Sequence, residues 1–370
     1  MNSIRKAPGK LVILGEFAVV EPGCGALVAA MDRYVTVQAA DLGIGGGVAV
    51  SSELIAGTVD LDSDRSAAAR QLPHIASAVA IARQWLDCPD RGVGLTITSQ
   101  LHERGVKLGL GSSGAVTVAV IDAVTAAWGA PVDRTTLFRL ALIATARLTT
   151  SGSGVDVAAA VFGGWLSYRS PDRHAIVELA AADLHSAVHA DWPGHVIAAV
   201  AAPPERLLVG WTGAPAATTA QIGRLASGDR TRDEIVCRFR ESSEECVDAA
   251  IGLLTPATAS CCGSAPAGAG LGEHVRQFRN LLCELDRATA MGIFTERLNA
   301  LCAAAETSGA AAKPSGAGGG DCGIALAGSS VDVAGLGQRW LHAGIRPLDV
   351  DVAPPTVNAA DIALPTTTSF

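Results

Sequence analysis

Lys107-Leu108-Gly109-Leu110-Gly111-Ser112-Ser113-Gly114-Ala115 stands directly before an apolar run, Val116 to Trp128, that reads as a helix. The first turn of a helix leaves backbone N–H groups unpaired. With the positive end of the helix dipole, those groups form a site for an anion. Gly109, Gly111 and Gly114 let the backbone come close, because no Cβ intervenes. The hydroxyls of Ser112 and Ser113 can accept from the helix or ligate a metal, and Lys107 adds a full charge at the mouth. Such a coil suits polyphosphate.

Taken alone, the stretch has other readings. The three glycines satisfy G-x-G-x-x-G, which also marks dinucleotide-binding folds. That fingerprint needs a preceding strand and an acidic residue about 20 positions on. Asp133 lies near that distance, but it follows Gly129-Ala130-Pro131 and reads as a helix N-cap. Residues 100–106 are polar and irregular. G-x-x-x-x-G-K-[ST] occurs nowhere. A glycine-rich helix start without a ligand stays open on these residues alone.

Two further segments narrow the choice. Residues 7–20 read Ala-Pro-Gly-Lys-Leu-Val-Ile-Leu-Gly-Glu-Phe-Ala-Val-Val, with Lys10, Glu16 and Phe17 among them. Residues 313–326 read Lys-Pro-Ser-Gly-Ala-Gly-Gly-Gly-Asp-Cys-Gly-Ile-Ala-Leu. In order and spacing, the three segments resemble the signature motifs of the galactokinase, homoserine kinase, mevalonate kinase and phosphomevalonate kinase superfamily. The resemblance runs from Ala7 to about Ala327. Residues 19–23, 31–36, 152–158, 163–165 and 210–213 look most like its bacterial phosphomevalonate kinase branch.

The resemblance implies an α+β, two-domain small-molecule kinase. The N-terminal domain would be like the second domain of ribosomal protein S5, the C-terminal one a ferredoxin-like α+β sandwich, with the active site between them. It implies ATP and phosphomevalonate as small-molecule substrates, diphosphomevalonate as product, and a place in isoprenoid synthesis. Mevalonate kinase or diphosphomevalonate decarboxylase activity stays open within the family. A nucleotide-binding regulatory protein without turnover is the reading from another class, and intact Lys10, Lys107 and Asp156 argue against it.

Charge sets the expected roles. Phosphoryl transfer needs positioning more than covalent help. The amides of Gly109, Leu110, Gly111, Ser112, Ser113 and Gly114 are expected to hold the ATP phosphates. The resemblance makes Ser113 the loop ligand of Mg²⁺, an ion that keeps several waters. It also matches Asp156 to the catalytic aspartate of mevalonate kinase and Lys10 to that residue's lysine partner. A phosphate acceptor has a second pKa of about 6 and needs no base at neutral pH. Lys107 and Lys10 are therefore expected to carry more of the rate than Asp156, which could also serve as a helix N-cap. For the acceptor, Ser153 and Gly154 could donate from the polar strip 149–154. Arg147 could grip a carboxylate or simply satisfy a helix C-terminus. Ser315, Gly316 and Gly318 belong to a loop expected to close over the ligands. Position 17 is Phe where related kinases carry Tyr or His, so a polar contact from it is in doubt.

Composition agrees. The chain has 370 residues, enough for two domains, with 49% hydrophobic residues but only 4% aromatic, so aliphatics build the core. A net charge of −8 disfavours nonspecific nucleic-acid binding. Positive charge must then be concentrated locally, and the four lysines (Lys6, Lys10, Lys107 and Lys313) all lie in or beside the motifs. Nine cysteines without C-x-x-C pairs argue against a disulfide framework or a zinc ribbon, and vicinal Cys261-Cys262 reads as reduced thiols. No signal-peptide core and no membrane-length apolar run is present, so the expectation is a cytoplasmic protein, monomer or homodimer, without membrane partners. His102-Glu103 is no zincin, because position 106 is Val. His185 and His189, four apart, read as surface residues rather than a zinc site.

Residues 1–190 are assigned to the ATP-binding domain, 191–353 to the C-terminal domain and 354–370 to a mobile tail. Strands are expected at 11–16, 34–40, 57–61, 94–98, 165–168, 195–201, 206–211, 322–327 and 346–352. Helices are expected at 73–86, 133–148, 156–161, 214–226, 233–254, 273–290 and 331–343. Residues 170–194 read as a charged boundary and 255–272 as a low-complexity loop.

Overall fold

A computed structural model describes residues 1–62, 70–215, 230–255 and 270–356. The chain opens with β1 (Asn2–Leu14) and β2 (Gly25–Ile44), an antiparallel ribbon running from Asn2 opposite Ala40 to Leu14 opposite Leu27. β3 (Val48–Ser52), β4 (Thr58–Asp60), helix α1 (Pro73–Trp85) and β5 (Arg91–Ser99) follow. A short hairpin, β6 (His102–Glu103) and β7 (Val106–Lys107), lifts Lys107 to the mouth of the glycine coil. Helices α2 (Ser112–Ala127), α3 (Arg134–Ala146) and α4 (Val155–Phe162) come next, then β8 (Trp165–Arg169), helices α5 (Arg173–Ala182) and α6 (Leu184–His189), and β9 (Val196–Val200). Seven strands form one sheet, ordered β4-β3-β5-β2-β8-β9, with β1 also on β2.

α2 is the axis of this half. It is apolar on nearly every face, as a helix enclosed on all sides must be. It packs on β1, β2, α1, α3 and α4. Asp122, the residue that breaks its apolar run, lies toward its outer end, where Arg5 and Arg134 reach it at 3.1 and 3.7 Å. No helix among the described residues is long and apolar enough to cross a membrane.

The second half begins with β10 (Arg206–Trp211) and helices α7 (Arg230–Leu254), α8 (Leu271–Thr289) and α9 (Glu296–Thr307). β11 (Ala311–Pro314), β12 (Cys322–Ala327), α10 (Val333–His342) and β13 (Arg346–Leu348) complete it. Its strands are ordered β11-β12-β10-β13, all antiparallel. Numbered within the sheet this is 2-3-1-4, the βαββαβ arrangement of a ferredoxin-like unit. The glycine-rich segment 315–321 is the turn between its paired strands β11 and β12, so pairing fixes both ends of that loop.

Several expectations shift. Residues 170–194 are not an open boundary but two short helices, each capped by an aspartate side chain, Asp172 and Asp183. Val196–Val200 pairs with β8, so the chain leaves the first sheet after Val200 rather than at 190. The tail is anchored at its start. Val352 bridges Met31, Ala353 exchanges backbone bonds with Ala30 and Gly164, and Thr356 donates to Phe162. β3, β11 and α9 lacked a clear sequence signal. The expected helix at 214–226 and the Cys261-Cys262 pair lie outside the described residues. The seven described cysteines are free thiols. His185 stacks on Trp85 at 4.2 Å, a packing role.

Candidate active site

The three motifs meet around one cavity of about 670 Å³. β1 brings Lys10 and Val12, the turn after it brings Glu16, Phe17, Val19 and Val20, and the β7–α2 coil brings Lys107, Gly109, Gly111, Ser112 and Ser113. The start of α4 adds Gly152, Ser153 and Asp156, and the β11–β12 turn adds Ser315, Gly316, Ala317 and Asp321.

Close approach explains the glycines. Gly111 is the N-cap of α2 in the left-handed region (φ 77°), without a side-chain cap, so the next amides face the cavity unshielded. A Cβ there would lie 2.8 Å from Lys10 Cγ and 3.3 Å from Asp156 Cβ. Lys10 and Asp156 therefore meet across Gly111. The Lys10 N–H donates to Leu110 O at 2.8 Å, which fixes the coil to β1.

Asp156 is in the first turn of α4, whose N-cap is Gly154. Its Oδ1 accepts from Val157 N–H and its Oδ2 from Gly114 N–H, each at 3.0 Å. One carboxylate is thus held by the N-terminal amides of two helices. The expectation that Gly114 offers its amide to ATP is corrected here, because that amide is already taken. A Cβ on Gly114 would sit 2.6 Å from Asp156 Cγ and 2.8 Å from its carbonyl carbon. Gly114→Ala is expected to displace Asp156 and lower kcat by up to about 10²-fold, the cost of a misplacement near 1 Å. The melting temperature should fall as well, because part of the clash is with backbone, so kcat is compared at a temperature where the variant is folded. An unchanged kcat in the folded variant would show that the placement of Asp156 is immaterial.

Other expected residues sit elsewhere. Leu110 is buried, with its carbonyl turned to β1, and does not line the cavity. Arg147 points away, donating to Gln84 Oε1 at 3.0 Å and Ala180 O at 3.1 Å, so it ties α3 to α1 and α5. Gly154 is packed where a Cβ would meet Leu142 and the Tyr168 hydroxyl. Gly318 lies under Ile293, whose carbonyl would be 2.4 Å from an added Cβ. Both shape the loops without facing the cavity. The strip 149–154 divides: Gly152 and Ser153 line this cavity, while Thr150 and Ser151 line a second one behind it.

Glu16 and Lys313 belong to quoted motifs but had no role assigned. They form a buried ion pair between the two halves, 297 residues apart in sequence. Lys313 also donates to Pro314 O at 2.8 Å, and Gly316 N–H to Glu16 Oε1 at 3.4 Å. Burial pushes the Glu16 carboxyl up and the Lys313 ammonium down, against their mutual attraction. Ser315 donates to Val12 O at 2.9 Å. The 315–316 turn is thereby fastened to β1 and its following loop. Phe17 holds φ 63° and ψ −44°, costly for an aromatic residue, and its buried ring lines the cavity without a polar atom.

The lining carries Lys10 and Lys107 against Asp156 and Asp321, with Glu16 matched by Lys313 behind it. Near-neutral walls cannot by themselves hold two polyanions together, so a divalent cation fits the charge balance. No group of three or more His, Cys, Asp or Glu among the described residues forms a metal site. The donors present, the Ser113 hydroxyl and acidic side chains across the cavity, suit a hard cation held largely by phosphate and water.

Comparison with known proteins places this arrangement. Residues 73–164 match the family described as GHMP kinases N terminal domain, and residues 259–344 match GHMP kinases C terminal. The chain belongs to the GHMP kinase family. A phosphomevalonate kinase of Streptomyces sp. (strain CL190) is 40% identical over 373 aligned residues, covering 95% of this chain and 97% of that protein. A mevalonate kinase of Thermococcus onnurineus is 27% identical, covering 88% and 90%. The crystal structure of Streptococcus pneumoniae phosphomevalonate kinase in complex with phosphomevalonate and AMPPNP superposes with a TM-score of 0.79 at 28% identity, over 95% of this chain and 99% of that one.

Proposed function

We propose that this chain transfers the γ-phosphoryl group of ATP to the phosphate of 5-phosphomevalonate. An acceptor phosphate oxygen forms the new anhydride bond to phosphorus, the β–γ bridge breaks, and ADP leaves. The observation that carries the reading is the 40% identity to a phosphomevalonate kinase across 95% of the chain. The cavity supports it, with Lys10 and Lys107 on the walls and no histidine or cysteine among the described lining residues.

The amides at the start of α2, Gly111 to Ser113, hold the phosphates of the nucleotide, and Lys107 covers them from the rim. Lys10 lies between that coil and the 315–316 turn, where an added Cβ on Gly316 would be 3.9 Å from its Nζ. It is placed to offset the repulsion between donor and acceptor phosphates. A dianionic acceptor needs no deprotonation, and each oxygen of Asp156 already accepts a backbone N–H. Asp156 therefore orients the coil and the Lys10 stem rather than removing a proton. Mg²⁺, when bound, would neutralise phosphate charge, held by Ser113 and the phosphates. Gly152 and Ser153 face the acceptor end, with Phe17, Val19 and Val20 supplying apolar walls.

An ADP-release assay across acceptors tests the reading. ADP formed with phosphomevalonate, and not with mevalonate or diphosphomevalonate, is the expected result. ADP with mevalonate alone would make the chain a mevalonate kinase, and nucleotide binding without ADP would remove the enzyme.

A further inference from the structure

Arg173 has no role in the account above, yet it holds both walls of the acceptor end. It is the first residue of α5 and is 5% exposed. Its Nε donates to Thr150 O at 2.9 Å, one terminal nitrogen to the Ser170 hydroxyl and to Pro171 O at 3.4 Å, and the other to Val20 O. Those acceptors lie on three separate segments. Val20 ends the turn that begins with Glu16 and Phe17, and Thr150 belongs to the strip that carries Ser153. Ser170 passes the link on, donating to Ser153 O at 3.2 Å beside the Tyr168 hydroxyl at 2.8 Å.

None of the four acceptors is a carboxylate. The acids nearby are engaged elsewhere: Asp172 caps α5, and Glu21 pairs with Arg240 at 2.6 Å. Among the described residues Arg173 makes no ion pair. A buried guanidinium held only by neutral oxygens keeps its full charge behind the wall. That charge lies directly behind the strip whose Gly152 and Ser153 line the reaction cavity.

We propose that Arg173 is the positioning residue of the acceptor subsite. It clamps the 17–20 turn against the 150–153 strip and adds its positive charge behind that strip, with Glu21 and Asp172 the acids that act on it from the far side. This rests on the reading that Gly152 and Ser153 face the acceptor. Arg173 touches no substrate, because it does not line the reaction cavity. It lines a second cavity of about 420 Å³ on the far side of the strip.

The test compares steady-state kinetics of the wild type, Arg173→Met, Arg173→Lys and Ser170→Ala. The wild type first shows whether phosphomevalonate is turned over, which decides the underlying reading separately. If another acceptor is the substrate, the same comparison is made with it. Arg173→Met is expected to raise the acceptor KM on the order of tenfold, the worth of one charge-assisted contact, while the ATP KM stays near its wild-type value. Arg173→Lys keeps the charge and is expected to recover part of the loss. Guanidinium ion, able to enter the second cavity, should partly restore Arg173→Met. Should Arg173→Met fail to fold, Ser170→Ala removes the hydroxyl that accepts from Arg173 and donates to Ser153, and should show the same selective rise, smaller in size. Equal rises in both KM values, or an unchanged acceptor KM in a folded variant, would overturn the proposal.

Discussion

Lys107→Met is expected to lower kcat by on the order of 10²–10³, the usual cost of deleting one preorganised electrostatic contact to a transition state. Lys107 ends a two-residue strand at the rim and is exposed, so its loss should barely move the melting temperature. The phosphates of donor and acceptor repel each other most as the new bond forms, and among the described residues lining the cavity Lys107 and Lys10 are the cations set against that repulsion. Lys10→Met should cost a similar factor. Asp156→Asn should cost less, because no proton has to be removed; its amide keeps one of the two N–H bonds, from Gly114 or Val157, and loses the other. Measuring kcat for the three variants beside their thermal melts separates these outcomes. If Asp156→Asn were the most damaged while Lys107→Met kept near-wild-type kcat, base catalysis would replace the electrostatic account.

The second large effect is on stability. Lys313→Met leaves the Glu16 carboxylate buried without its cation, and breaking a buried pair in this way typically costs about 3–5 kcal/mol. Both side chains are essentially inaccessible, 1% for Glu16 and 0% for Lys313. The Lys313→Met variant should unfold at a markedly lower denaturant midpoint with an unchanged slope. The double variant Glu16→Gln with Lys313→Met should regain much of the loss, since the uncompensated charge is gone. Denaturant titration of the four proteins in the cycle checks this. Additive losses would mean that the two residues stabilise the fold independently. Activity is a separate readout, because Glu16 also orients the 315–316 turn.

The motifs were legible because the chemistry of phosphate is local. A cradle needs glycines, a helix start and a cation within a few residues, and Lys107 to Ala115 supplies them contiguously. The N-cap Asp133 and the strands 206–211 and 322–327 were legible for the same reason, each being set by its own neighbours. What the sequence hid is long-range. Lys313 could be singled out as one of four lysines, all near motifs, but nothing local points to Glu16 as its partner. Arg147, one turn before the strip, reads either as a grip on the acceptor or as a helix C-terminal charge, and the end of α3 turns it toward Gln84 and Ala180. The arginine that grips the strip is Arg173, 23 residues beyond Thr150 and brought back by β8. β9 was found as a strand, but alternation along a strand does not say which sheet it joins.

The amides of Gly111 to Ser113 are expected to cradle the nucleotide phosphates. A crystal structure with a non-hydrolysable ATP analogue and phosphomevalonate tests this directly. The account predicts phosphate oxygens at roughly 2.7–3.2 Å from the backbone nitrogens of Gly111 to Ser113, with the acceptor phosphate between Lys10 and Ser153. A nucleotide bound elsewhere with the glycine coil empty would contradict it.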